Sequence, residues 1–210
     1  MRSRWINCVI ALAVAGLGGC ATMSADECLT VDWSAIGYED GTRGYTTDRF
    51  GSHRKACAKH GVTANLAEYR RGHAQGVEVF CQPGRGFDHG ASGAQYNGVC
   101  PAVLEDAFLD AYRAGHKLYT LRANVSSANS RIYAKEAELE RVEDRISAAE
   151  AQLVSDQTTT EQRVVLLDEL KELSERTGQL EAEVKQAIAD RARFEQELQY
   201  YEQTVAAYGY

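Results

Sequence analysis

Residues 32–44 read DWSAIGYEDGTRG, three glycines and two aromatics in thirteen positions. A phosphate-cradling loop would need a strand ahead of it and a Lys-Ser/Thr pair behind it, and neither is present. The Gly-x-Gly-x-x-Gly dinucleotide pattern fails as well. What the segment shares with the rest of the chain is an aromatic residue followed three positions later by glycine. The pattern occurs at Tyr38–Gly41, Tyr69–Gly72, Phe87–Gly90 and Tyr112–Gly115. The first three run on to a further glycine, Gly44, Gly76 and Gly93. Successive copies lie 31, 18 and 25 residues apart, too irregular for a solenoid. Glycine inside a helix costs about 1 kcal/mol against alanine, so its recurrence implies a gain elsewhere. Close approach of two backbones supplies that gain. The segment is therefore expected to form a short glycine-faced helix packed tightly on others.

The second copy sits in ANLAEYRRGHAQGVEVFC, residues 64–81. Thr63 is expected to cap this helix, with Leu66, Tyr69, Gly76, Val77 and Phe80 on one face. Beyond it the composition changes. Of 18 glycines only Gly178 and Gly209 lie past Leu118, and no cysteine, histidine or proline does. From Leu104 a heptad runs through Ala111, Leu118, Val125, Ile132, Leu139, Ile146 and Leu153 at a. Its d positions are Ala107, Ala114, Leu121, Ala128, Lys135, Val142 and Ala149, a coiled-coil seam with one polar interruption. The helix is expected from about 101, with Pro101 in its first turn. The polar segment SDQTTTEQ interrupts it, placing a turn near 155–160, where Thr158 and Glu161 have capping-box spacing. A second heptad follows, with Leu166, Leu173, Leu180, Ala187, Phe194, Tyr201 and Tyr208 at d and Arg163 at the first a. A short polar connection between long helices makes an antiparallel hairpin, with a parallel dimer as the alternative. In that register Leu153 faces Leu166, Ile132 faces Ala187, and Phe108, Tyr112, Tyr119, Tyr200 and Tyr201 gather at the hairpin base.

The fold expected is all-α: a leader over 1–19, a small disulfide-braced, glycine-rich helical domain over 20–117, and a coiled-coil hairpin over 118–210. Arg2 and Arg4 precede the short apolar run Ile6–Leu17, which reads as a signal peptide. Leu17-Gly18-Gly19-Cys20 has the form of a lipobox, so Cys20 is the expected lipid attachment site and the membrane an expected partner. Ala21 after it favours the outer membrane, facing the periplasm. Cys28, Cys57, Cys81 and Cys100 remain, and four thiols in an exported chain imply two disulfides. Three pairings are possible, and the sequential one, Cys28–Cys57 with Cys81–Cys100, is preferred. Without Cys-x-x-Cys, a thiolate zinc site is not supported.

Chemistry finds little footing. His53, His60, His73, His89 and His116 lie before residue 117 in no metal-binding spacing, and are expected at the surface or in caps. Asp32, Glu39, Asp40 and Asp88 do not by themselves make a glycosidase pair. No Gly-x-Ser-x-Gly elbow occurs. No catalytic residue, metal or cofactor is assigned, and a net charge of −7 disfavours nucleic acid. The aromatics Trp33, Tyr38, Tyr69 and Tyr96 could line a ligand groove.

CLTVDWSAIGYEDGTRG, HRKACAKHGVTANLAEYRRGHAQGVEVFC, GFDHGASGAQYNGVCP and FLDAYRAGHKLY together resemble a proteobacterial lipoprotein family, domain of unknown function 2799. The resemblance spans roughly 20 to 120. It implies an envelope lipoprotein and brings no activity. The expected function is a non-catalytic, lipid-anchored scaffold whose coiled coil meets another envelope protein. The alternative is a periplasmic module binding peptidoglycan, another glycan or a small ligand.

Overall fold

The computed structural model describes residues 23–209; the leader and Cys20 lie outside them. Among the described residues the regular structure is helix alone: α1 (Ala25–Leu29), α2 (Trp33–Thr42), α3 (Arg49–Ala58), α4 (Leu66–Phe80), α5 (Pro83–Ala91), α6 (Ala102–Leu153) and α7 (Thr160–Ala207). The chain divides into two compact units, one ending at Val77 and the other beginning at Glu78. Composition places the break near Leu118. The structure moves it earlier because the glycines of α5 pack on α6, which binds the start of the long helix to the Cys81–Cys100 segment.

In the first unit Asp32 caps α2, accepting from the backbone N–H groups of Ser34 and Ala35. The helix closes at Gly44, whose φ of 72° suits glycine. α2 crosses α4 through two glycines on each side. A Cβ on Gly37 would overlap the Tyr69 carbonyl oxygen, and one on Gly41 would lie 2.9 Å from the Val77 nitrogen. Gly72 meets the Ser34 carbonyl in the same way, and a Cβ on Gly76 would lie 2.8 Å from the Thr42 nitrogen. Beside the crossing, Trp33, Phe50, Ala56 and Tyr69 form a core with the Cys28–Cys57 disulfide. α4 is capped by Asn65, which accepts from Ala67 and Glu68, rather than by Thr63. Its buried face gains Gly72 and His73, while Leu66 is exposed.

The second unit opens with the same device. Gly86 lies against the Phe108 carbonyl, Gly90 against Tyr112 and His116, and Gly115 of α6 against Phe87 and Ala91. The likeness extends residue by residue. Gly37, Gly41 and Gly44 have the spacing of Gly86, Gly90 and Gly93, and Gly93 has a φ of 75°. The opposing aromatics Tyr69 and Phe108 are both 0% exposed. His73 Nε2 meets the Tyr45 carbonyl at 2.7 Å, and the Tyr112 hydroxyl donates to the Ala94 carbonyl at 3.0 Å. One helix-crossing module therefore occurs twice. The irregular aromatic-glycine spacing hides it, because the connection between the crossing helices contains α3 in the first copy and no helix in the second.

α6 and α7 form the antiparallel hairpin, each about 75 Å long at 1.5 Å per residue. Its buried seam includes Ala128, Ile132, Val142 and Ala149 from α6, and Leu166, Leu173, Leu180 and Ala187 from α7. The seam lysine, Lys135, reaches out to Glu183 at 2.7 Å and Glu138 at 3.5 Å. α7 starts one residue later than expected, with Thr159 and Gln162 as the capping box. Arg163 leaves the seam and folds over the turn, donating to the carbonyls of Leu153, Ser155 and Thr158. At the base, the Tyr201 hydroxyl reaches the Ala114 carbonyl at 2.9 Å, but Tyr200 points to solvent and joins no aromatic cluster.

Two glycine substitutions separate packing from propensity. Gly76→Ala forces a methyl group into the backbone of α2 and is expected to destabilise by about 2–4 kcal/mol. Gly178→Ala in α7 meets nothing within 4 Å and is expected to stabilise by about 0.5–1 kcal/mol. Urea unfolding followed by circular dichroism measures both.

Candidate functional site

Asp40 precedes Gly41, so the glycine that admits α4 also carries a carboxylate into the interior. It is 3% exposed. Arg49 and His53 stand four residues apart on α3, one helical turn, and both turn toward it. Arg49 Nε donates to Oδ1 at 3.0 Å. His53 Nε2 lies 2.7 Å from Oδ2, and the Tyr69 hydroxyl donates to the same oxygen at 2.8 Å. An ionised carboxylate only accepts, which assigns a proton to His53 Nε2. Burial alone would push the Asp40 carboxyl up. The hydrogen bonds from His53 and Tyr69, with the charges of His53 and Arg49, outweigh it and hold the group below the ordinary carboxylate range. Burial, then the bond to Asp40, raises the Tyr69 hydroxyl.

This network joins α2, α3 and α4 through a single side chain. It stands on the wall of a cleft of about 400 Å³ lined by Glu27, Asp32, Glu39, Arg43, Arg49 and His53. Within the network one buried nitrogen, His53 Nδ1, is without a protein partner. An imidazole oriented by a carboxylate through one nitrogen can hold a polar ligand atom or a proton at the other. The second module lacks the device. Where Asp40 stands in the first copy, His89 stands in the second, and Phe108 replaces Tyr69. The space is filled by rings, Phe80–Phe108 and Tyr96–Phe108 both at 5.0 Å.

The residues singled out from the sequence fall differently. Trp33 and Tyr69 are buried in the first unit's core and offer no face to a ligand. Tyr38 is 42% exposed. Tyr96 belongs to the second unit, where its hydroxyl accepts from the Cys100 N–H and donates to Glu105. Cys28 pairs with Cys57 and Cys81 with Cys100. Asp32 is spent as a cap, Glu39 pairs with Arg43 at the surface, and Asp88 is exposed. His53 and His73 are buried, contrary to the surface reading, because each finds an interior acceptor. His60 and His116 are exposed. Sequence reasoning missed this cluster; the four-residue spacing of Arg49 and His53, with an acidic residue on a glycine face, is the signal that could have found it. Among the described residues no group of three His, Cys, Asp or Glu side chains is placed to hold a metal ion. Among them, too, no helix is long and apolar enough to cross a membrane.

Residues 32–117 match the family described as protein of unknown function DUF2799, and the chain carries that domain. The match covers both copies of the glycine crossing and ends where α6 leaves the second. Among curated proteins and solved structures, none matches the chain significantly.

Asp40→Asn removes the charge that Arg49 and His53 share and is expected to cost about 3 kcal/mol at neutral pH. Because the folded carboxyl titrates below its unfolded value of about 3.9, its stabilisation is complete above that pH. It is lost as pH falls through the folded value. The gap in urea midpoint between wild type and Asp40→Asn is therefore expected to be widest at pH 7 and to narrow below pH ~4. A gap independent of pH would exclude an ionised Asp40.

Proposed function

We propose that this chain is a lipid-anchored, non-catalytic protein of the bacterial cell envelope that holds out a helical hairpin for contact with another envelope protein. The hairpin carries this reading. Two helices of 52 and 48 residues close their apolar seam on each other and leave long charged faces to solvent. The glycine faces are filled by backbone and frame no pocket, and Trp33 and Tyr69 are consumed by the core. Two disulfides agree with an oxidising compartment such as the periplasm. The lipobox spacing at Cys20 supports acylation and, with Ala21, outer-membrane placement.

A second reading, a module binding peptidoglycan or a small ligand, is supported by the cleft beside His53. It rests on that cleft and not on the four aromatics.

Metabolic labelling with radioactive palmitate is expected to tag the wild-type protein and not Cys20→Ser. Labelling of neither overturns the anchor. Photo-crosslinking in cells from exposed hairpin positions such as Tyr133 and Ile188 is expected to give discrete adducts, and the exposed α3 position Lys55 none. Sedimentation with purified peptidoglycan separates the second reading: retention of wild type and loss by Arg43→Ala would favour it, and no retention would remove it.

A further inference from the structure

The hairpin ends in a segment that breaks its own pattern. Val164-Val165-Leu166-Leu167 puts four apolar residues in a row at the start of α7, of which the seam takes only Leu166. Val164, Val165 and Leu167 are 63%, 68% and 55% exposed, and Val154, across the turn, is 77% exposed. A helix apolar on every side is normally buried, so this end of an otherwise charged rod is built to be covered. A concavity of about 550 Å³ opens beside it, lined by Val165, Leu166, Gln152, Gln157, Thr158 and Glu161.

The charges around it choose the cover. From 150 to 168 the chain carries Glu150, Asp156, Glu161 and Asp168, all exposed, against one cation, Arg163. Arg163 is committed to the backbone carbonyls of the turn. The apolar tip is thus ringed by unopposed carboxylates. Two such tips repel each other, which disfavours a second copy, and an anionic bilayer repels the ring in the same way.

We propose that the hairpin tip is a docking knob for a protein that offers an apolar socket rimmed by lysine or arginine. The proposal rests on the reading that the hairpin serves protein contact, and it places the decisive contact at the turn. Carboxylates at the rim steer and orient the partner, while the valines and Leu167 supply the buried core of the interface.

The test uses the full chain in its own cells, with a photo-reactive residue at Val154 or Val165 and, separately, at Tyr133 or Ile188. Tip positions are expected to give one adduct, with the crosslinked peptide of the partner apolar and flanked by basic residues. Val164→Ser combined with Val165→Ser and Leu167→Ser is expected to cut adduct yield at least tenfold while thermal unfolding stays unchanged. Glu161→Lys with Asp168→Lys does the same through charge. Adducts from mid-hairpin positions alone would overturn the knob and leave protein contact by the hairpin standing. Adducts from no position would overturn both. An adduct with the mass of two copies, a partner peptide without basic residues, or flotation with phosphatidylglycerol vesicles that the serine variant loses, would each overturn the proposal.

Discussion

A methyl group on any of Gly37, Gly41, Gly72 or Gly76 would collide with the backbone of the opposing helix, and the same holds for Gly86, Gly90 and Gly115. That absence of side chains is what the fold is organised around. Helices bearing ordinary residues keep their axes about 8–10 Å apart. These have no Cβ at the point of contact and bring carbonyl and amide groups of one chain segment against the Cα atoms of another. The flexibility of glycine makes each such helix weak alone. Disulfides between Cys28 and Cys57 and between Cys81 and Cys100 offset that weakness, each restricting the unfolded chain by about 3 kcal/mol.

Once the backbones are this close, the polar side chains buried at the crossing must satisfy one another. The two modules solve this in opposite ways. In the first, a carboxylate at Asp40 of α2 gathers a guanidinium and an imidazole from α3 and a phenol from α4. In the second, His89 and Phe108 occupy the matching places among Phe80, Tyr96 and Tyr112, and the contact is made by rings. A polar network of this kind is costly to break, because removing one partner leaves the others buried and unsatisfied. The two copies therefore share a backbone geometry, while only the first is organised around a buried carboxylate.

The hairpin obeys a different economy. Its stability is distributed along a long seam, and its ion pairs, such as Arg145 with Glu169 and Arg122 with Glu202, are exposed and individually weak. Arg163 shows where local need overrides the heptad. The end of α6 leaves carbonyl groups without partners, and a cation that could have lain along the seam satisfies them instead. That choice withdraws the tip's single positive charge from solvent and leaves its surface apolar and acidic.

The sequence by itself determined the helical class, the hairpin and the glycine-for-contact principle, because heptads, caps and glycine spacing are local patterns written at fixed intervals. It also pointed to the pairing of the four cysteines. Only the tertiary structure decided that the glycine crossing occurs twice, that the units divide at Val77 rather than near Leu118, and that Tyr69 and Trp33 are core and not groove. It alone brought Asp40, Arg49, His53 and Tyr69 to one point. Their neighbourhood depends on how closely α2, α3 and α4 approach, a distance set by residues with no side chain to signal it and by an inserted helix, α3, whose docking periodicity cannot register.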